Sequence, residues 1–343
     1  MTISKRLVAL IGAVCALGAS TVSAHVGPHG AKSMRFPVPK KNTQFKAWES
    51  AAQEFFFWTD LDHFDADGKS TKFQMRYLVD DTYWDPETGP ILFYAGNEGD
   101  IYSFYDNTGF MTETIANETK GLIVFAEHRY FGVSYPYDPS EAFTPEHNIY
   151  LTVEQTMADY AELAKFIRTE YQMEDKACVV FGGSYGGMLA AWIRMKYPQT
   201  FQGALAASAP FLYFKDAPSA PEFEYATIAT EDFSQQLEKS PALIKEAFQS
   251  MTNSTDDKWE EMSTIFNTCT PISNSSDVQH LYSHFSNGYQ YMAMTDYPYP
   301  AAFLEPMPAW PVKEAVKPFV DIPTSAEYWA ANESGSWFDK VSS

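Results

Sequence analysis

The chain has 343 residues, of which 45% are apolar, so it is long enough for a large globular domain with an additional segment. It carries 44 acidic and 24 basic residues, a net charge of −20. This charge disfavours nucleic acids and anionic membrane surfaces as partners, because their phosphates would be repelled.

The N-terminus has the three-part layout of a secretory signal peptide. Lys5 and Arg6 precede an apolar run over residues 7–17, and small residues lead to Ala24, where we predict cleavage. The apolar run is shorter than the roughly 20 helical residues that cross a bilayer, and no later run is long and apolar enough to do so. We therefore predict a signal peptide over residues 1–24, entry into the secretory pathway and no membrane insertion.

Asn-x-Ser/Thr sequons occur at four places, and in a secretory chain they are candidate glycan sites. Short motifs of this kind also arise by chance, so occupancy stays open. The sequons begin at Asn117, Asn253, Asn274 and Asn332.

Short apolar runs predict strands that are buried on both faces, and amphipathic segments separate some of them. This alternation favours an α/β fold with a mostly parallel sheet. The runs cover residues 91–95, 122–126, 177–181 and 203–207.

The clearest amphipathic segment predicts a helix over residues 152–171. Thr152 and Gln155 have the spacing of a capping box at its start. One face of the helix is expected to lie in the core, and it carries Met157, Tyr160, Ala161, Ala164 and Ile167.

The composition and periodicity of the sequence change after Pro210. Helical but less periodic sequence follows from about Ser219 to Phe266, and a tail rich in proline and aromatic residues begins at Tyr297. We predict one domain over residues 25–210 and a mostly helical segment over residues 211–343.

The run GGSYGG at residues 182–187 has the spacing of a nucleophile elbow, G-x-S-x-G. In such a tight turn the positions two residues either side of the serine must lack side chains, which Gly182 and Gly186 satisfy. A strand-like run precedes it and helix formers follow it. We predict Ser184 as the nucleophile and the backbone N–H of Tyr185 as an oxyanion donor, since a helix N-terminus favours negative charge.

A second oxyanion donor is expected from the loop after an earlier strand. The run at residues 91–95 leads into Gly96-Asn97-Glu98-Gly99, where glycines let backbone amides approach a substrate. Asn97, by its side chain or backbone, is the candidate, although an ordinary glycine turn is the alternative.

A general base for Ser184 is harder to find. In this fold the order along the chain is Ser, then Asp or Glu, then His on a loop. After Ser184 the sequence has only His280 and His284, both in a segment that predicts a helix, so neither is expected to be the base. We therefore expect the C-terminal part of the hydrolase domain to be missing from this chain.

Several blocks of the sequence resemble the prolyl carboxypeptidase and dipeptidyl peptidase II family of serine exopeptidases. They are spread over the mature chain, and the block at residues 182–198 is the most specific. The blocks are DHF at 62–64, ILFYAGNEGDI at 91–101, EHRYFG at 127–132, residues 182–198, GALAASAP at 203–210 and DYPYP at 296–300.

The resemblance implies an α/β-hydrolase fold with an inserted, mostly helical cap domain, and Ser184 as nucleophile of acyl-enzyme chemistry. The implied substrate is a peptide with proline next to the cleaved bond, in the lysosome or outside the cell. Met188, beside the elbow, and Glu98 are candidate residues of the substrate pocket. No cofactor or metal is expected, and a homodimer stays open.

Three alternatives remain. Because two triad members are not found, the chain could be a non-catalytic relative that binds peptides. Within the family, removal of an N-terminal dipeptide, as in dipeptidyl peptidase II, competes with removal of a C-terminal residue. An esterase of the same fold is the third alternative.

Overall fold

The computed structural model describes residues 51–214, 224–303 and 305–325. The predicted signal peptide and Asn332 lie outside these residues. The chain forms two compact units, and the boundary between them falls between Ala220 and Pro221. The domain boundary expected near Phe211 stays a prediction.

The first unit contains a six-stranded sheet in the order β1-β2-β4-β3-β5-β6. Strands β1 and β2 pair antiparallel, as do β2 and β4, and the remaining neighbours pair parallel. The α/β prediction with a mostly parallel sheet is confirmed. The strands are β1 Gln53–Asp60, β2 Lys72–Asp80, β3 Ile91–Ala95, β4 Leu122–Ala126, β5 Cys178–Gly183 and β6 Gly203–Ala207.

Strands β3 and β4 are buried along their whole length, as expected for parallel strands that are covered on both faces. Phe93 of β3 lies between Val124 of β4 and Val180 of β5. The prediction that β6 is buried on both faces is wrong. In the described part of the chain β6 is an edge strand of the sheet, and Leu205 is 40% exposed.

The predicted long helix is present, and Thr152 is its N-cap. The Thr152 hydroxyl accepts the backbone N–H of Gln155, and the expected apolar face is buried. The reciprocal half of the capping box is absent, because the Gln155 side chain instead bonds the Asp62 carboxylate and the His63 backbone N–H. In the first unit the α-helices are α1 Ile101–Tyr105, α2 Ala116–Thr119, α3 Val153–Glu170 and α4 Tyr185–Lys196.

The described part of the second unit is helical, with its own apolar core around Phe233, Met262, Phe285 and Phe319. Among the described residues, no helix combines the length and apolar character that crossing a bilayer requires. The helices are α5 Glu224–Gln236, α6 Ser240–Thr252, α7 Trp259–Ile265, α8 Ser275–Met294 and α9 Pro311–Val316.

Candidate active site

Three chain segments meet at the carboxyl ends of β3, β4 and β5, because these strands are parallel neighbours. The loop after β3 carries Asn97, the segment after β4 begins with Glu127, and the turn after β5 carries Ser184. Ligand sites of α/β sheets lie at the carboxyl ends of the strands. The motifs singled out in the sequence are therefore brought to a common place by topology alone.

The elbow requires its glycines. A Cβ atom on Gly182 would lie 2.0 Å from the carbonyl oxygen of Gly186, and one on Gly186 would lie 2.7 Å from the carbonyl oxygen of Ala95. Both separations are far inside van der Waals contact. Helix α4 can therefore start close against β5 and β3 only with hydrogen at these positions.

Ser184 lies between β5 and α4 with φ 55° and ψ −125°. Residues other than glycine rarely adopt a positive φ, and such a backbone conformation costs about 1–3 kcal/mol. Its backbone N–H donates to the carbonyl of Ala207 at 3.0 Å, which holds the turn against β6. The side chain is exposed at the N-terminus of α4, where the first helical amides have no partner within the helix.

Asn97 lies against the same turn. It is 6% exposed, and its Oδ1 atom would be 3.1 Å from a Cβ on Gly186. That oxygen is buried without a hydrogen-bond partner among the described residues. Since an oxyanion needs donors, the N–H groups of Asn97 are the ones that suit this role. The Tyr160 hydroxyl on α3 fixes the start of the loop by donating to the Gly96 carbonyl at 2.6 Å.

The two candidate pocket residues flank the elbow. Met188 is half-buried in the first turn of α4, and Glu98 is half-buried in the loop after β3. One carboxylate oxygen of Glu98 is buried without a partner in the described part of the chain. Burial, reinforced by the charge of Glu98, raises the pKa of the Tyr185 hydroxyl.

His128 is buried and bonds to the residue that follows the nucleophile. Its Nδ1 lies 2.6 Å from the carbonyl oxygen of Arg129, which can only accept, so Nδ1 carries the proton. Its Nε2 therefore accepts the Tyr185 O–H at 3.0 Å. Burial lowers the pKa of His128 to about 4, so the ring is neutral at neutral pH. Both ring nitrogens of His128 therefore take part in hydrogen bonds, Nδ1 with Arg129 and Nε2 with Tyr185.

Arg129, the next residue, is fully buried and forms a bidentate pair with Asp159 on α3. Its Nε and Nη2 donate to the two carboxylate oxygens at 2.6 and 2.8 Å. Burial opposes the charged form of Asp159, but Arg129 outweighs it with help from His63, so the pKa of this carboxyl is lowered. The pair locks the segment after β4 onto α3.

Glu127 secures the other side of the site. Its carboxylate accepts the Ile101 backbone N–H at 3.1 Å and the Ser134 hydroxyl at 2.7 Å, and it pairs with Arg76 at 2.5 Å. Arg76 also pairs with Asp100, the N-cap of α1. The loop that carries Asn97 is thus held at its far end by buried charges. Sequence reasoning did not assign Glu127 a role, although a glutamate directly after a buried strand was a signal.

The two histidines downstream of the elbow belong to the second unit. His280 and His284 lie on α8 of the second unit, in the helix that their sequence predicted. Among the described residues of the first unit, the Ser184 hydroxyl has no hydrogen-bond partner.

The described sequons differ in their local structure. Asn117 and Asn253 are exposed at helix ends. Asn274 is the N-cap of α8, and its Oδ1 accepts the backbone N–H groups of Ser276 and Asp277. Glycosylation at all four positions stays a prediction.

The strand-turn-helix elbow and the glycine loop after β3, on this mixed sheet, define a protein of the α/β-hydrolase class. A model of the family described as serine carboxypeptidase S28 matches residues 59–343. The chain belongs to this family of serine peptidases, which confirms the resemblance carried by its motifs.

Curated relatives agree with this assignment. The chain is 44% identical over 258 residues to the lysosomal Pro-X carboxypeptidase of Bos taurus, covering 74% of this chain and 50% of that protein. For the protein of the same name from Homo sapiens the identity is 41% over 279 residues, covering 80% and 55%. A Caenorhabditis elegans protein, prolyl carboxy peptidase like protein 5, is 37% identical over 304 residues, covering 85% and 56%. The chain spans about half the length of these relatives.

Among solved structures the chain is similar to a highly thermostable carboxyl esterase from Bacillus coagulans. The identity is 14% and the TM-score 0.34, with 78% of this chain and 86% of that one covered.

Proposed function

We propose that this protein is a serine exopeptidase that hydrolyses a peptide bond next to proline through an acyl-enzyme on Ser184. The observation that carries the proposal is the exposed Ser184 at a strained turn, with Asn97 packed against Gly186 of the same elbow. Membership of the serine carboxypeptidase S28 family and the Pro-X carboxypeptidase relatives support it.

In the proposed reaction the Ser184 Oγ adds to the carbonyl carbon of the scissile bond. The backbone N–H of Tyr185 and an N–H of Asn97 stabilise the resulting oxyanion. The tetrahedral intermediate collapses, the C–N bond breaks, and the amine leaves with the proton that the base removed from Ser184. Water then adds to the carbonyl carbon of the acyl-enzyme as the base takes its proton, and the C–O bond to Ser184 breaks as that proton returns to Oγ, which releases the carboxylic acid.

The base is proposed to be a histidine held by a carboxylate, as in other serine hydrolases of this fold. His128 does not fit this role, because its Nε2 accepts the Tyr185 hydroxyl and its Nδ1 donates to Arg129. Labelling of Ser184 by a fluorophosphonate tests whether the protein has such a base.

Proline-directed specificity is part of the proposal. Proline has a fixed φ and no N–H, which suits a shaped apolar pocket, and Met188 can conform to its ring. The partner is then a peptide with proline beside the cleaved bond. We also propose signal-peptide cleavage at residue 24 and a lysosomal or extracellular location, in keeping with the lysosomal relatives.

One observation favours a second candidate activity. The unpartnered carboxylate oxygen of Glu98, buried beside Tyr185, would attract a cationic group and repel a carboxylate. A free peptide N-terminus is cationic, so Glu98 favours release of an N-terminal dipeptide ending in proline.

The test uses protein expressed from the full coding sequence and two families of substrates. Peptides that end in Pro-X and X-Pro reporter amides are compared with short acyl esters. Turnover of one proline substrate that Ser184→Ala abolishes supports the proposal. Cleavage of the Pro-X peptides identifies a carboxypeptidase, and cleavage of the X-Pro amides identifies a dipeptidyl peptidase. Faster turnover of esters, with none on either proline substrate, overturns it in favour of an esterase. Binding of the peptides without any hydrolysis favours a non-catalytic relative.

The oxyanion role of Asn97 is tested in the same assay. Asn97→Ala is expected to lower kcat by about 10²- to 10³-fold, with a smaller change in KM. The matched control is Asn107→Ala, an exposed asparagine in the turn after α1. Equal rates for the two variants would remove the Asn97 side chain from the mechanism and leave its backbone N–H as the donor.

A further inference from the structure

Away from Ser184, the junction of β1 with α3 brings together one imidazole and two carboxylates. Asp60 is the last residue of β1, His63 lies in the turn that follows, and Glu162 is on α3. One ligand atom from each residue lies within 4.8 Å of the other two. No cofactor or metal was expected from the sequence, and the proposed peptidase chemistry does not use these residues.

The His63 ring has a fixed orientation. Its side chain is only 5% exposed, and Nε2 lies 2.7 Å from Oδ1 of Asp159. The Asp159 carboxylate also accepts two hydrogen bonds from the Arg129 guanidinium, at 2.6 and 2.8 Å, as an ion pair. A carboxylate only accepts, so Nε2 carries the proton that is donated to it. The lone pair of the neutral ring is then on Nδ1.

His63 Nδ1 faces a second acceptor. It lies 3.8 Å from Oε1 of Glu162, and no hydrogen bond to it is recorded among the described residues. Two acceptors that face each other need a hydrogen-bond donor or a cation between them, and a metal ion bound by both meets this need. A histidine whose other nitrogen donates to a buried carboxylate is the usual form of a metal-binding histidine, because that bond fixes the tautomer and raises ligand basicity.

The separation between the ligand atoms of His63 and Glu162 suits a small divalent cation. Zinc bonds to histidine nitrogen and carboxylate oxygen are about 2.0–2.2 Å, so two tetrahedral ligand atoms lie roughly 3.4 Å apart. The 3.8 Å between His63 and Glu162 is close to this value. Nζ of Lys72 lies 2.9 Å from the Asp60 carboxylate and competes with a metal ion for it. Such an exposed ion pair contributes little free energy, so the metal ion can displace it.

We propose that Asp60, His63 and Glu162 form a Zn²⁺ site, with water completing the coordination. One imidazole with two carboxylates suits zinc better than calcium, which prefers oxygen ligands alone. The ion joins the end of β1 to the middle of α3, beside the Arg129–Asp159 pair. Its role is to stabilise the first unit, and it is independent of the chemistry at Ser184.

The test is calorimetric titration of Zn²⁺ into tag-free protein that carries Cys269→Ser, because the exposed thiol of Cys269 would bind zinc by itself. One Zn²⁺ per chain is expected. Glu162→Gln changes a side chain that is 42% exposed, so it leaves the fold intact and lowers the affinity at least tenfold. The matched control is Glu170→Gln, an exposed carboxylate at the end of the same helix, which keeps the wild-type affinity.

X-ray absorption at the zinc edge gives a second readout. One imidazole and otherwise oxygen ligands are expected, together with a higher thermal unfolding midpoint in the presence of Zn²⁺. No binding below about 100 μM, equal affinity in Glu162→Gln and the parent, or a spectrum without imidazole would each overturn the proposal.

Discussion

Tyr185 donates its hydroxyl to His128 across 3.0 Å, and this bond joins the nucleophile turn to the segment after β4. The two residues are far apart in sequence, yet the parallel pairing of β4, β3 and β5 brings them to one edge of the sheet. The bond holds the first helical residue after Ser184 by its side chain. The backbone N–H of Tyr185, the proposed oxyanion donor, is thereby fixed in place.

Neutral His128 makes the stability of the first unit dependent on pH. Burial lowers its pKa from 6.5 to about 4, so between these values the unfolded chain binds a proton that the folded chain does not. The contribution to stability is complete above pH 6.5 and is lost as the pH falls toward 4, by up to about 3 kcal/mol. Urea denaturation of the wild type at pH 7 and pH 4.5 measures this loss.

His128→Gln cannot take up the proton, so the same acidification is expected to destabilise this variant less. His147→Gln is the control, because it alters another histidine of the first unit, half-buried in the loop before α3, and leaves His128 in place. Equal losses in the wild type and His128→Gln would contradict the assignment of a neutral buried ring.

Two of the four glycines of the elbow run predict different responses to alanine, a large loss of stability for Gly186 and a small change for Gly183. Gly186→Ala places a methyl group 2.7 Å from the Ala95 carbonyl and is expected to destabilise the protein by about 1–3 kcal/mol. Gly183→Ala is the matched substitution, since its nearest neighbour, the Tyr94 hydroxyl, lies 3.9 Å away. Thermal unfolding of both variants checks the difference. Similar midpoints would show that α4 does not approach β3 this closely.

Backbone strain at Ser184 predicts that glycine is better tolerated there than alanine. Both substitutions remove the hydroxyl, but only glycine adopts φ 55° with ψ −125° freely. Strain relief of about 1–3 kcal/mol exceeds the entropy cost of glycine, so Ser184→Gly is expected to be about 1 kcal/mol more stable than Ser184→Ala. Chemical denaturation of the pair measures this difference.

Ala191→Gly supplies the comparison, because Ala191 lies inside α4. There glycine is expected to cost about 1 kcal/mol relative to alanine, which is the opposite sign. A Ser184→Gly variant less stable than Ser184→Ala would mean that the turn is not strained.

The sequence was informative where a local pattern decides the structure. The central strands were visible as unbroken apolar runs, α3 as a periodic segment, and the elbow as a glycine pattern that sterics impose. Strand β1 was not predicted, because aromatic residues lie on both of its faces, with Phe56 47% and Trp58 57% exposed. Such a run shows no alternation of polar and apolar residues.

The buried charges around the site could not be predicted for a different reason. Asp159 occurs in the middle of an amphipathic helix, where a carboxylate usually faces solvent. It is fully buried because Arg129, 30 residues earlier, reaches it from the end of β4. Only the three-dimensional pairing of β4 with its neighbours makes these residues partners. The same holds for Glu127 and Arg76, which meet across the pairing of β2 with β4.

The central claim is that Ser184 is the nucleophile. The most direct measurement treats protein expressed from the full coding sequence with a fluorophosphonate and locates the adduct by mass spectrometry of its peptides. We predict one adduct, on Ser184, that forms in step with the loss of proline-peptide hydrolysis, and neither labelling nor hydrolysis in Ser184→Ala. An adduct on another residue, or hydrolysis of proline peptides that survives Ser184→Ala, would contradict the account.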